Sequence, residues 1–452
     1  MFNVNFDLIG NYIWSFFFLP GLFLSAMLLT IICRGLQFRK FGYALKATIG
    51  KSSSRKENKA EGISAFQAAS TALGSTVGTG NIVGTAQAIT LGGPGALFWL
   101  WIAALIAMIV KYAEILLAVH FRKSTPGYGP MDYIEHGLHK RKLALFYGFM
   151  ALLSSFAMGN ITQASSITDV FVNLSYTFFS GPVASDTMLR LSVGFVLAGM
   201  TLILFAGGAK RISHLAELLV PFMVLAFLAV SLAVIGSNLS ELPLVIKTVF
   251  IEAFKPGSIC GGISGVSTTK CIQWGFRRSA FSNEAGLGTS AIAHASAETK
   301  SAAQQGLWGI FEVFADTIVI CSCSSLCILC SGIDIPWGQI TGSGLYLASL
   351  ETIFGSKLSC IMLALFIGLF AYTSVMGWAF YGGRCAEYLF GRSAVAPYRF
   401  IFILLLIAGS VMPLGSVWSI ADFINALMSV PNLIAILLLA PYVGRISRDS
   451  FS

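Results

Sequence analysis

Ala72-Leu73-Gly74-Ser75-Thr76-Val77-Gly78-Thr79-Gly80-Asn81 lies in the middle of an apolar stretch long enough to cross a bilayer. Glycine costs a helix interior about 1 kcal/mol relative to alanine, and neighbouring serine and threonine weaken the helix further. In lipid, an unwound turn leaves peptide groups unpaired, at roughly several kcal/mol each. A break therefore persists only where something else takes those groups. A bound cation takes carbonyls, and an anionic group takes the N–H groups that open the following half-helix. Small residues also let unbroken helices approach closely, and Gly80 to Gly84 is a small-xxx-small spacing. At this point both readings stand.

The surrounding composition says what solvent the chain faces. Of 452 residues, 56% are apolar and 11% charged, against about 25% charged in soluble proteins. Too few charges are present to cover a water-facing surface of this size. The 36 Phe and 8 Trp suit lipid contact and the interfacial belt. The net charge of +9 is carried by basic residues in short segments between apolar runs, an orientation signal rather than a nucleic-acid surface. Nine cysteines fall mostly inside apolar runs, and the Cys321, Cys323, Cys327 and Cys330 group reads as polarisable helix packing. The first apolar run, 12–33, is about twice the length of a signal peptide and is followed by Arg34, Arg39 and Lys40, so it reads as a retained span.

About 20 apolar residues cross the hydrocarbon core, which predicts about eleven transmembrane helices. They fall near 12–33, 64–91, 94–120, 145–174, 188–207, 212–236, 259–278, 303–331, 357–381, 398–413 and 417–441. One side collects Arg34, Arg39, Lys40, Lys46, Lys51, Arg55, Lys56 and Lys59, then Arg122, Lys123, Lys140, Arg141 and Lys142, then Lys210 and Arg211. Arg277, Arg278 and Lys300, then Arg384, Arg392 and Arg399, then Arg445 and Arg448 join them. Arg190, Lys247, Lys255 and Lys357 fall opposite, so the N-terminus is expected outside and the C-terminus in the cytoplasm, in a multi-pass plasma membrane, most simply a bacterial inner membrane. Surface helices are expected in the external stretches 236–258 and 337–356.

A second glycine-rich stretch, Cys260-Gly261-Gly262-Ile263-Ser264-Gly265, lies in the seventh predicted span. Five spans separate it from the first, and an odd displacement reverses the direction of crossing. Two weak points in opposite orientation imply two inverted five-span units, 63–236 and 258–441, with a site between them at mid-membrane. Residues 1–62 form an extra N-terminal helix and a basic loop within one transporter domain.

At these residues the chain resembles the alanine or glycine:cation symporter family. The resemblance spans nearly the whole chain. It rests on Gly78 to Gly84, Leu91 to Trp99, Lys111-Tyr112-Ala113-Glu114, Phe281-Ser282-Asn283-Glu284-Ala285-Gly286-Leu287-Gly288, Asp316 to Val319, and Gly377-Trp378. It implies an all-α, LeuT-like fold of five-plus-five inverted repeats and sodium-driven uptake of alanine or glycine, with no cofactor. It also implies roles. Gly74 and Val77 carbonyls with Thr373 and Ser374 hydroxyls would hold Na⁺, because a hard cation prefers oxygen. Thr79 and Gly80 N–H groups would receive the substrate carboxylate, with Thr76 and Asn81 oxygens nearby. Gln163 would face the pocket, Trp378 would wall it, and Ser264 would add a contact. Ordinary back-bonding explains Thr373 and Ser374 equally simply, and interhelical packing explains Gln163 and Trp378.

Ionisable groups inside a bilayer are functional suspects. Lys111 and Glu114, at i,i+3, are expected to pair locally as a structural or gating unit. Asp316, deeper in its span, is a candidate for coupling or for the substrate amine. Glu284 is expected to follow the seventh span on the inside as a gate contact. The spacing assigns Asp422 nothing. No HExxH, GxSxG or Walker pattern occurs, so neither an enzyme nor an ATP-driven pump is expected. A proton-coupled carrier of the same fold is the alternative, ahead of a channel. Alanine versus glycine or serine, stoichiometry and oligomeric state are not written in the sequence.

Overall fold

The computed structural model describes residues 6–49, 63–179, 186–255, 268–299 and 301–451, and these are all but entirely helical. Nine described helices are long and apolar enough to cross a membrane. We label these helices and the shorter pieces that complete the crossings in chain order. They are α1 (Trp14–Ile32), α2 (Ala65–Thr76), α3 (Val83–Gly92), α4 (Ala96–Phe121), α5 (Arg141–Phe178), α6 (Asp186–Ala206) and α7 (Gly208–Ser237). They continue with α8 (Thr268–Asn283), α9 (Thr289–His294), α10 (Ala302–Cys330), α11 (Gly344–Phe390), α12 (Arg392–Val411) and α13 (Trp418–Phe451). The pairs α2/α3 and α8/α9 each follow one another across a short interruption. A surface helix, Leu242–Phe254, fills the stretch between α7 and α8. The start of α11 is the other expected surface helix, set off by a non-helical Gly355.

Burial sorts the spans. In α4 the most apolar window is 83% buried, whereas in α1, α6, α7 and α12 it is 28–33% buried. Leu218, Phe222 and Leu225 on α7 and Phe400 on α12 are exposed, as a lipid-facing side requires. The centre is tightened by small residues. A Cβ on Gly309 would sit 2.9 Å from the Lys111 backbone, and one on Gly306 2.8 Å from the Tyr112 ring, so α10 lies directly on α4.

The first break is where the glycine cluster predicts it. Ser64 caps α2 through a reciprocal pair with Gln67, each bond 3.1 Å. The helix then ends at Thr76. Val77 (ψ 91°) and Gly78 (φ −134°, ψ −158°) are extended, a single tight turn covers Thr79–Asn81, and α3 begins at Val83.

The seventh predicted span is described from Thr268 on, where α8 continues past 278 to Asn283 and is followed, after an interruption at Glu284–Gly288, by α9. There Glu284, Gly286 and Gly288 all have positive φ, the region glycine tolerates and other residues enter only at a cost. Glu284 lies between α8 and α9 and is 1% exposed, so it is not a solvated loop residue. Arg277 and Arg278 likewise belong to α8 and not to a flanking loop. The Cys260–Gly265 stretch, with Ser264, lies outside the described residues.

Candidate functional site

At the first break, α11 closes onto the opened turn. A Cβ on Gly78 would lie 2.6 Å from Ser374 Oγ, and one on Gly74 3.4 Å from Thr373 Cβ. Ser374 Oγ donates to the carbonyls of Ser75 (3.1 Å) and Gly74 (3.4 Å). Thr373 Oγ1 bonds back to Leu369 and Phe370 carbonyls, both at 3.0 Å, and Thr76 Oγ1 to Ala72 and Leu73 at 3.2 Å. A hydroxyl that donates its proton backwards keeps its lone pairs for an acceptor role. Gly74, Thr373 and Ser374 are therefore brought together at the break, with Val77 next along the chain, and Val77 and both hydroxyl residues are buried.

The N–H groups of Thr79 and Gly80 open a new turn, where no intrahelical acceptor precedes them. Around them stand a hydroxyl, an amide and aromatic rings. Thr79 Oγ1 lies 3.4 Å from Gln163 Oε1. The Phe281 ring would be 3.4 Å from a Cβ on Gly80, and it stacks on Trp418 at 5.0 Å between centroids. Trp378 is 1% exposed and is seated on Gly159, where a Cβ would fall 2.1 Å from its own. Gly159 lies in a π-helical turn, Ala157–Ile161, that interrupts α5 just before Gln163, a distortion common at functional positions.

Asn81 has an unforeseen task. Its Oδ1 accepts from the Gly78 N–H (2.9 Å), while Nδ2 donates to Asp316 Oδ1 (2.7 Å) and Ser282 Oγ (3.0 Å). Asp316, fully buried in a second π-helical turn, Phe314–Cys321, also receives Ser282 Oγ (2.7 Å) and Thr317 Oγ1 (2.9 Å) on Oδ2. One carboxylate thus joins the two interrupted crossings. Cys321 Sγ touches the same knot, 3.3 Å from Asn81 Nδ2 and 3.2 Å from Ser282 Oγ. At Cys321, as at Cys327 with Ser349 Oγ 3.3 Å away, the packing role expected of the group is incomplete.

Lys111 and Glu114 do not pair with each other. Lys111 Nζ donates to the Asn283 carbonyl (2.6 Å) and lies 4.0 Å from Glu312 Oε2. Glu114 Oε1 accepts from the Gly286 N–H (2.9 Å) and Asn432 Nδ2 (2.7 Å). Both charges serve peptide groups freed by the second break, which outweighs the i,i+3 spacing. Asn432 also donates to the Gly286 carbonyl (2.9 Å), and the Tyr147 hydroxyl donates to Leu287 (2.8 Å). Glu284 Oε2 accepts from Thr289 Oγ1 (2.5 Å), and Oε1 has no hydrogen-bond partner among the described residues. Asp422 finds its partner in Arg277 at 2.7 Å. Sequence reasoning missed Ser282, Cys321, Tyr147, Glu312 and Asn432. Of these only Ser282 sat in a recognised motif.

Residues 1–451 match the Sodium:alanine symporter family. The chain is 35% identical over 446 residues to the sodium/alanine symporter AgcS of Methanococcus maripaludis, covering 96% of this chain and 94% of that one. It is 33% identical over 444 residues to a probable sodium/glutamine symporter, GlnT, of Bacillus subtilis (97% and 89%). It is 34% identical over 432 residues to that organism's putative sodium/proton-dependent alanine carrier YrbD (91% and 84%). Among solved structures it resembles MhsT in complex with L-phenylalanine, with TM-score 0.61, 16% identity and coverage of 85% and 90%. It also resembles a Na⁺-coupled sialic acid symporter, with TM-score 0.54, 10% identity and coverage of 97% and 98%. At such identities these two neighbours speak for the fold alone, which is LeuT-like. The whole-length match and the close relatives carry the rest: this chain is a member of the sodium:alanine symporter family, a family of membrane transporters.

Proposed function

We propose that this chain imports a small neutral amino acid, alanine or glycine, by alternating access driven by the sodium gradient. The observation that carries the reading is the first break. Its last helical carbonyls, at Gly74 and Ser75, face the Ser374 hydroxyl across the molecule, and its new N–H groups at Thr79 and Gly80 open a buried turn. Na⁺ would bind among the Gly74 and Val77 carbonyls and the Thr373 and Ser374 hydroxyls. The zwitterion's carboxylate would meet Thr79 and Gly80, near Thr76 and Gln163, with Trp378 limiting side-chain size. Ion and cargo then stabilise the same arrangement of one turn, and coupling of that kind is reciprocal. Asp316, tied to Asn81 and Ser282, is the coupling residue in this scheme. Lys111, Glu114 and Glu284 hold or gate the second break. We read residues 63–236 and 258–441 as the two inverted units, with the N-terminus outside the plasma membrane and the C-terminus in the cytoplasm.

One observation favours a second reading, proton coupling. Glu114, Glu284 and Asp316 are buried, while Glu312 lies between Lys111 and His294, and a surplus of carboxylates in a bilayer interior calls for a cation or a proton. Proteoliposomes separate the two. Labelled alanine uptake should rise at least about tenfold with an inward Na⁺ gradient, a coupling of about 1.4 kcal/mol or more. Uptake that persists without Na⁺ and follows an imposed pH gradient would overturn sodium coupling and establish the second reading.

A further inference from the structure

A groove opens at the start of α5, away from the two interrupted segments. Its volume is about 650 Å³, within the roughly 300–1,000 Å³ typical of ligand pockets. Its rim is His139, Lys140, Arg141 and Lys142, and its wall includes Leu143, Phe146, Ile434 and Leu438. Charge and apolarity are therefore separated along one groove. The four consecutive basic side chains stand at the end of a span, and the apolar wall runs from them into the bilayer between α5 and α13. The wall is open: Phe146 is 41% exposed, Ile434 41% and Leu438 62%. The acidic neighbour is Glu135, and it is engaged elsewhere as well. Its Oε2 accepts from the Tyr388 hydroxyl, and its Oε1 lies 3.8 Å from Arg141 Nε, whose side chain stays 78% exposed.

We infer that this groove binds an anionic phospholipid of the cytoplasmic leaflet, with the phosphate among Lys140, Arg141 and Lys142 and an acyl chain along Phe146, Ile434 and Leu438. A cluster of Lys and Arg at the inner end of a span attracts anionic headgroups, while a neutral lipid gains nothing from it. A free phosphate would satisfy the rim and leave the apolar wall bare. The other basic opening, at Arg34, Arg39 and Lys40, makes the contrast. At about 180 Å³ it falls below the size range of ligand pockets, so its charges face solvent without an acyl-sized groove behind them.

The test is native mass spectrometry of the full chain in neutral detergent, titrated with phosphatidylglycerol or phosphatidylcholine. The wild type should retain phosphatidylglycerol in preference. K140Q/R141Q/K142Q should weaken that binding by about tenfold or more and leave phosphatidylcholine unchanged, whereas R34Q/R39Q/K40Q should leave both unchanged. The wall variant F146A/L438A should weaken both lipids while keeping the charge. It supplies the answer if the triple rim variant is not monodisperse. Equal retention of the two lipids, an equal loss in the Arg34/Arg39/Lys40 variant, or displacement of phosphatidylglycerol by millimolar inorganic phosphate would overturn the proposal.

Discussion

The two interrupted crossings meet the same difficulty in opposite ways. At Val77–Ile82 the break is met by the Ser374 hydroxyl, by the Asn81 amide and by its own turn. At Glu284–Gly288 the freed groups are caught by committed side chains: Lys111 on the Asn283 carbonyl, Glu114 on the Gly286 N–H, Asn432 on the Gly286 carbonyl and Tyr147 on Leu287. Freed peptide groups in a bilayer must be satisfied, and at the first break they are met by a hydroxyl and an amide, neutral groups that can turn to an ion or a ligand. In the proposed reading the first interruption exchanges ligands and the second is permanent.

The largest effect should come from the permanent one. Lys111→Met leaves the Asn283 carbonyl without its donor and removes the cation beside Glu312, which keeps only His294 at 2.5 Å, at a cost of about 3–5 kcal/mol. The thermal midpoint of the purified protein should fall sharply, and by the same amount with and without Na⁺. Rescue by Na⁺ would mean that the second break also exchanges ligands, and the contrast would fail. Tyr147→Phe leaves the Leu287 carbonyl without a donor and should cost about 1–3 kcal/mol, again without regard to Na⁺. Ser374→Ala should do least to stability in Na⁺-free buffer, since it removes a hydroxyl from the exchangeable break. Its signature is a rise of about tenfold in the Na⁺ concentration for half-maximal uptake, roughly 1.4 kcal/mol. An unchanged sodium dependence would place the ion elsewhere.

The first break was legible because its cause is local. Glycine, serine and threonine gathered over ten residues weaken any helix, whatever the rest of the chain does. The break at Glu284–Gly288 was not foreseen because its cause is distant: it is held open by partners on α4, α5 and α13 that no local window contains. The same holds for Lys111 and Glu114, whose spacing suggests a helical pair. Buried in a low-dielectric core, each gains more from an unsatisfied peptide group than from its neighbour. Gly159 under Trp378 is another case, since a close approach between residues so far apart leaves no mark on either stretch of sequence. The fold class needed only hydropathy, charge asymmetry and one motif set, and it held.

Asp316 has a mechanical consequence. It grips Asn81 just after the first interruption and Ser282 just before the second, so it acts as a yoke. Neither segment can swing away alone without tearing a bond to that shared carboxylate. A change in that grip would free the two segments from one another.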